Sequence, residues 1–336
     1  MRTRITAIAL ILLTLVGCSS AASPGTTTST ASGPAGTAST APAVIGLTYI
    51  PNVQFSPFYV ATSSKLYSTP VTLRHHGTSE GLFTAMTTGS EQFVVAGGDE
   101  VLQAREQGTD LVAVASYYRS YPVRVIVRGD SPISTIADLK GHTVGIPGKY
   151  GESWFGFLMA LKGAGLSVND VTVQEIGYTQ QAALATKKVD AIVGFVNSEP
   201  IQLQAAGIAA KTIDIGNVPL VSICLVTTHA YATAHPDVVK AVVKGTVAGM
   251  QSVVSDQDQA LQASTAYVPG LTDPATAKGA KAVLAATAPL FQNADGTVSG
   301  ALDAKAWDAM SSAMVGAGLL KAPQAAASAM TDEYMS

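Results

Sequence analysis

The sequence predicts an α/β protein built as two similar lobes with a ligand cleft between them. Three observations carry this. From Val44 onward, short apolar runs of strand character alternate with helix-like segments, the pattern of parallel sheets covered by helices. Met86–Ala96 is echoed by Leu184–Gly194, each a helix end, a tight turn and a buried strand. Both strands then deliver acidic or amide groups, Asp99 in one and Asn197 with Glu199 in the other. In open α/β sheets such strand ends are where ligands bind.

The chain has 336 residues, and its first forty or so read as leader and tether rather than fold. Arg2 and Arg4 precede Ile5–Val16, an uncharged apolar run too short to span a bilayer comfortably. These are the charged and apolar regions of an export signal. The run ends in Leu15-Val16-Gly17-Cys18, which resembles the lipobox of bacterial lipoproteins, where a small residue precedes the cysteine that becomes the lipidated N-terminus. The resemblance implies a signal peptide over 1–17 and a mature chain anchored by acyl chains on Cys18, on the extracytoplasmic face of the cell membrane. Residues 18–43 then form the lipidated cysteine and a disordered tether. Ser19–Pro42 contains only Ser, Thr, Ala, Gly and Pro, so it buries too little to order itself, and its mean span is roughly 25–30 Å. A glycosylated stalk fits the same composition. Cys224 is the only other cysteine, so no internal disulfide is available, and its apolar surroundings make it a buried thiol. Net charge is −3, charged residues are 13%, and no basic block exists, which argues against a nucleic-acid partner. No later run is long and apolar enough to cross a membrane.

The elements follow in order. Val44–Leu47 is the first strand, ended by Pro51, which has no N–H for a ladder. Tyr49–Ala61 then supplies polar Asn52, Gln54 and Ser56 and aromatic Phe55, Phe58 and Tyr59 at the start of a helix. Val71–Arg74 is a short strand, and Thr78 or Ser79 caps a helix running to about Thr88. Phe93–Ala96 is a buried strand, Asp99 opens a helix to about Gln107, and Leu111–Ala115 and Val123–Val127 are strands. A second set repeats the grammar: strand Thr143–Ile146, a glycine-containing loop over 147–151, a helix from about Ser153 to Lys162, strand Val171–Ile176, helix Gln180–Thr186, strand Ala191–Gly194 and helix Glu199–Ala206. Val221–Thr227 is the last strand. Beyond Tyr231 the chain reads as helical, with breaks near Pro269, Pro274, Pro289 and Gly296.

Catalytic readings are weak. Gly151-Glu-Ser-Trp-Phe155 nearly matches a nucleophile elbow, but Phe155 stands where a small residue is needed, and Ser153 reads better as a helix cap. The histidines lack metal-ligand spacing, and no phosphate loop or dinucleotide fingerprint exists, so no reaction centre, metal or cofactor is expected. Binding readings are stronger. Pro147–Trp154 leads from a strand end onto a helix N-terminus whose free N–H groups attract acceptors, including Gly151 and Ser153. Tyr150 and Trp154 flank it and could stack on a planar ligand. Glu199 is an acceptor candidate at a strand end, beside Asn197. Tyr117, Tyr118 and Tyr121 cluster where the chain would cross between lobes.

The motifs Tyr49–Ala61, Asp138-Leu-Lys-Gly-His-Thr-Val-Gly-Ile-Pro147 and Gly194-Phe-Val-Asn-Ser-Glu-Pro200 resemble the substrate-binding proteins of ABC importers, nearest to the branch that binds thiamine pyrimidine precursors, with riboflavin-binding and sulfonate- or nitrate-binding relatives. The resemblance covers Val44 to about Val226. It implies the type II periplasmic-binding-protein fold: lobe 1 from 44–121 plus 227–336, lobe 2 from 122–226, joined by two crossovers, with a small ligand clamped between them. Carried over, Asn52, Phe55 and Asp99 would serve the cleft from lobe 1, and Tyr59 and Tyr117 are further candidates there from their own position in the chain. Tyr150, Gly151, Ser153, Trp154, Asn197 and Glu199 would close on it from lobe 2. Implied partners are a small-molecule ligand and membrane permease subunits. The motif loops hold no Arg, and Lys149 is their only cation, which disfavours a strongly anionic ligand. The expected ligand is a small heteroaromatic such as a thiamine pyrimidine precursor, with flavin next, then sulfonate or nitrate. An extracellular sensor and a pyrimidine synthase-like enzyme are the rivals from other classes.

Overall fold

The structure is a computed structural model, and it describes residues 41–77 and 80–336. The predicted signal peptide, Cys18, most of the tether, and the helix caps Thr78 and Ser79 lie outside the described residues. Ten strands form two five-stranded sheets. They are β1 Ala43–Leu47, β2 Val71–His75, β3 Phe93–Gly97, β4 Leu111–Ser116, β5 Val123–Arg128, β6 Thr143–Ile146, β7 Thr172–Glu175, β8 Ala191–Phe195, β9 Ala210–Ile213 and β10 Ile223–Thr228. The helices are α1 Ser56–Ser63, α2 Thr84–Thr87, α3 Gly98–Glu106, α4 Gly151–Gly163, α5 Gln180–Ala185, α6 Glu199–Ala205, α7 His229–Ala234, α8 Pro236–Ser255, α9 Gln257–Ser264, α10 Pro274–Thr287, α11 Ala304–Gly316 and α12 Ala326–Ala329.

The first sheet runs β2-β1-β3-β10-β4 and the second β7-β6-β8-β5-β9. The two share one plan. In each, the central strand of a parallel trio (β1, β6) is flanked by its successor and by the strand after that. Each is completed by an antiparallel strand (β10, β5) paired on both sides. The sequence echo falls on β3 and β8, which occupy the same place in the two sheets. The chain passes between sheets at 117–122 and again at 214–222. The final strand, assigned to the second lobe when read from sequence, pairs with β3 and β4 from Ile223 onward and so belongs to the first sheet. Its apolar run carries no mark of which sheet it joins, because either would bury it equally.

Alternation along the strands sorts the core. Phe93 and Val95 face one side of the first sheet with α1 and α8, while Val94 and Ala96 face the other with α11 and α12. The C-terminal helices therefore cover both faces of the first sheet. Each fully buried Phe, Leu or Val there contributes about 1.5–3 kcal/mol. Two local expectations change. The helix expected up to Thr88 is only the single turn α2, the chain before it being drawn in where Arg74 bonds to Glu80 and Glu91. The strand β9 was not foreseen. It is a sheet edge in which Lys211 and Thr212 alternate with Ile213, so it lacks the buried run that marks its neighbours.

Candidate functional site

A cavity of about 390 Å³ opens where the carboxyl ends of both sheets' strands meet. From the first sheet come Thr48 and Tyr49 after β1, Gln54 and Phe55 in the turn that follows, and the end of β3 with Glu100. From the second come Pro147, Tyr150, Gly151, Glu152 and Ser153, Tyr178 after β7, and the end of β8 with Glu199. Tyr49 and Tyr178 meet across the gap, with ring centroids 4.1 Å apart at 50°. Tyr150, 47% exposed, stands at the edge. The chain enters α4 through Gly151 at φ +72°, a conformation that side-chain-bearing residues resist. That turn aims the α4 N-terminus and Ser153 at the cavity.

The wall has a consistent electrostatic character. Among the described residues no Lys or Arg lines it, whereas Glu80, Glu100, Glu152 and Glu199 do, together with His76, whose ring bonds to Glu91. Glu100 and Glu199 start equivalent helices and fold back in the same way. Glu100 accepts from the Gly97 N–H at 2.8 Å, and Glu199 from the Phe195 N–H at 2.7 Å. Burial raises the Glu199 carboxyl to about 7, against the pull of the Phe195 N–H. Burial, and then the neighbouring Asp99 charge, also raise Glu100 and Glu152. Two buried polar atoms of the wall make no hydrogen bond: Gln54 Nε2, a donor, and Glu152 Oε2, an acceptor. Both atoms are buried away from solvent. The cavity thus offers aromatic faces and a wall of carboxyl groups, with Glu152 and Glu199 buried.

The residues expected from sequence divide. Phe55, Tyr117, Tyr150, Gly151, Ser153 and Glu199 are on the wall. Ser153 lies inside the first turn of α4, whose cap position is Tyr150, so it is not a helix cap. Asn52, Tyr59, Asp99, Trp154 and Asn197 are off the wall, each with a structural task. Asn52 accepts from the Gln54 N–H at 3.0 Å and fixes the turn that presents Gln54 and Phe55. Tyr59 is fully buried, stacked on Tyr267 at 4.3 Å and bonded to His75 at 2.9 Å. Asp99 accepts from the Tyr121 hydroxyl at 2.7 Å and the Glu100 N–H at 2.8 Å. Trp154 packs between the cores of the two sheets. Asn197 donates to Thr287 of α10 at 2.8 Å, tying the second sheet's loop to the first lobe's helices. Tyr49, Gln54, Glu100, Glu152 and Tyr178 were not among the expected site residues. Glu100 lies one residue after Asp99, which the echo singled out. Cys224 is buried and free, as read from its apolar setting.

Comparison with known proteins agrees with this architecture. The alkanesulfonate-binding protein SsuA from Xanthomonas axonopodis pv. citri superposes with a TM-score of 0.67 at 22% identity, over 86% of this chain and 98% of that one. The fold is that of the periplasmic binding proteins, with a cavity between its two sheets. Residues 52–260 match the family described as NMT1/THI5 like, and the chain belongs to that family. It is 30% identical to the riboflavin-binding protein RibY of Chloroflexus aurantiacus, over all of this chain and 98% of the relative. It is 27% identical to the formylaminopyrimidine-binding protein of Halalkalibacterium halodurans, over 48% of this chain and 50% of that protein.

Proposed function

We propose that this protein is the extracytoplasmic receptor of an ABC importer, held to the membrane through Cys18, and that it takes up riboflavin or a closely similar neutral flavin. The observation that carries the reading is the cavity itself: about 390 Å³, walled by Tyr49, Phe55, Tyr150 and Tyr178, and free of Lys and Arg. That volume falls within the range of roughly 300–1,000 Å³ typical of sites for multi-ring ligands, and a single pyrimidine ring would leave much of it empty. Aromatic rings at the entrance suit a flat heterocycle. The likeness to RibY over the full length supports the same ligand. It reverses the order expected from the motifs, where the thiamine pyrimidine precursor came first. That precursor is the second reading, supported by the half-length likeness to the formylaminopyrimidine-binding protein.

Binding works by clamping. A ligand touching Tyr49 and Glu100 on one side and Tyr178 and Glu199 on the other favours the closed arrangement by its extra contacts there. The test is titration of the domain from Val44 onward with riboflavin, read by flavin fluorescence and thermal shift. Stacking should quench the flavin, and ligand at 100 times its dissociation constant should add roughly 2.7 kcal/mol of stability. No quenching with riboflavin, together with a shift by a thiamine pyrimidine precursor, would hand the site to the second reading.

A further inference from the structure

The cavity extends beyond its aromatic end. Glu100, Gln103, Ala104 and Gln107 all line it. They recur at helical spacing and form one stripe of α3, while the other sides of that helix bury Val101 and Leu102 in the core. The stripe starts at the cleft, where a Cβ at Gly151 of α4 would stand 3.3 Å from Glu100 Oε1. At about 1.5 Å per residue it carries the cavity roughly 10 Å along the first lobe, as far as Gln107. Leu82 and Phe83 also line the cavity, and they pack on the same core cluster as Ala104, which sets the stretch before α2 beside the stripe. Glu80 of that stretch is held in place. Arg74 donates to its two oxygens, through Nη1 at 3.0 Å and through Nη2, and this pairing keeps the carboxyl below its usual range, so it stays ionised. His76 is on the same wall, its ring Nε2 bonded to both Glu91 oxygens at 3.0 Å. The two ends of the cavity therefore differ in chemistry. Tyr49, Phe55 and Tyr178 make one end aromatic, whereas two amides and a fixed carboxylate make the arm along α3 a hydrogen-bonding channel.

We propose that the arm along α3 is a subsite for a polyhydroxylated side chain of the ligand, and that Glu80, Gln103 and Gln107 hold its hydroxyls. The proposal rests on the flavin reading above and deepens it: the fused rings lie among the tyrosines, and the sugar-alcohol chain runs along the helix. A hydroxyl both donates and accepts. Each Gln amide offers N–H groups and a carbonyl, and the Glu80 carboxylate accepts only, so successive hydroxyls find partners of either sense. Gln103 and Gln107 are one helical turn apart, which spaces their amides along the chain. The bond to Glu80 is charge-assisted, and Arg74 has already fixed the acceptor, so little order is lost in forming it. Leu82, Phe83 and Ala104 give the carbons of the chain an apolar surface. The chain is neutral and needs no counter-charge from His76. A flat heterocycle without such a chain forgoes these bonds, so the arm sorts ligands by their tails, a discrimination that the aromatic end cannot make.

The experiment titrates the purified protein with riboflavin and, in parallel, with lumiflavin, which has the same ring system and a methyl group in place of the polyol chain. Both are followed by flavin fluorescence. Riboflavin should bind about tenfold or more tightly, the size of effect that a hydrogen bond to a charged group produces. Gln103→Leu and Glu80→Gln, each shown by its melting temperature to be folded, should weaken riboflavin more than lumiflavin and narrow the gap about threefold or more. Lumiflavin binding as tight as riboflavin leaves the flavin reading standing and overturns the subsite. A gap that both folded variants keep in full, including one kept because both ligands weaken equally, overturns the role of these residues. Should neither flavin bind the wild type, the flavin reading fails and the subsite falls with it.

Discussion

Asp99 and Glu100 are adjacent on α3, yet they do different jobs. A helix turns about 100° per residue, so one carboxyl looks inward to Tyr121 and the other toward the cavity. The sequence echo singled out Asp99, which is off the cavity wall, while its neighbour Glu100 is on it. Tyr59 shows the same limit from the other side. An aromatic at the start of a helix reads equally as ligand platform or core, and only its stacking on Tyr267 decides for core. The acidic groups make a pH prediction. Burial raises Glu199 from its usual 4.5 to about 7, so the protein holds the protonated form. The associated stability is complete below about 4.5 and is lost as pH rises through about 7, to a total of roughly 3 kcal/mol for a group so displaced. Asp99, Glu100 and Glu152 are displaced in the same direction, chiefly by burial. The ligand-free domain should therefore melt at a higher temperature at pH 5 than at pH 8. Glu199→Gln, which cannot ionise, should flatten part of that slope; an identical slope in the variant would contradict the assignment.

Among elements, the pairing of α1 with α8 shows what pattern alone leaves out. Pro57 sits in the first turn of α1, a position that suits proline, and buried valines recur along α8 at helical spacing. Both helices are legible from sequence, but their closeness is not. Gly249 lies where the two helices touch, and a Cβ there would meet the Pro57 carbonyl oxygen at 2.1 Å. In an open helix Gly→Ala adds about 1 kcal/mol of stability. Here Gly249→Ala should instead remove about 1–3 kcal/mol, as overpacking does, measured by chemical denaturation. A stabilised variant would show that the helices can move apart freely. The short α2 and the edge strand β9 were lost to the sequence reading for a related reason. Single turns and half-solvated edges are held by tertiary partners, such as the Ala209 carbonyl receiving the Gly129 N–H beside β9, and carry little periodicity of their own.

At the scale of the whole molecule, the two lobes are one design used twice, and the second crossover returns the chain to the first sheet for β10 before the C-terminal helices wrap it. The bond from Asn197 to Thr287 links the second lobe to those helices, so the C-terminal third takes part in how the lobes sit together. None of the described helices is long and apolar enough to cross a membrane. The attachment proposed through Cys18 is therefore testable by itself. Full-length protein should partition with membranes when expressed in a bacterium with lipoprotein processing, and Cys18→Ala should release it to the soluble fraction. Retention of the variant on membranes would rule out the lipid anchor.

What the sequence determined by itself was the alternation of strands and helices, the repeat of one α/β plan, and several residues that line the cavity, including Phe55, Tyr150, Gly151, Ser153 and Glu199. Those follow from local periodicity, turn residues and a repeated pattern, which act over a few residues and survive in a linear reading. What only the tertiary structure decided was which acids and aromatics face one another: Tyr49 against Tyr178, Glu100 beside Gly151, Glu152 with an oxygen left unpaired. Those depend on how two sheets approach, a relation between residues more than fifty positions apart that no local pattern records.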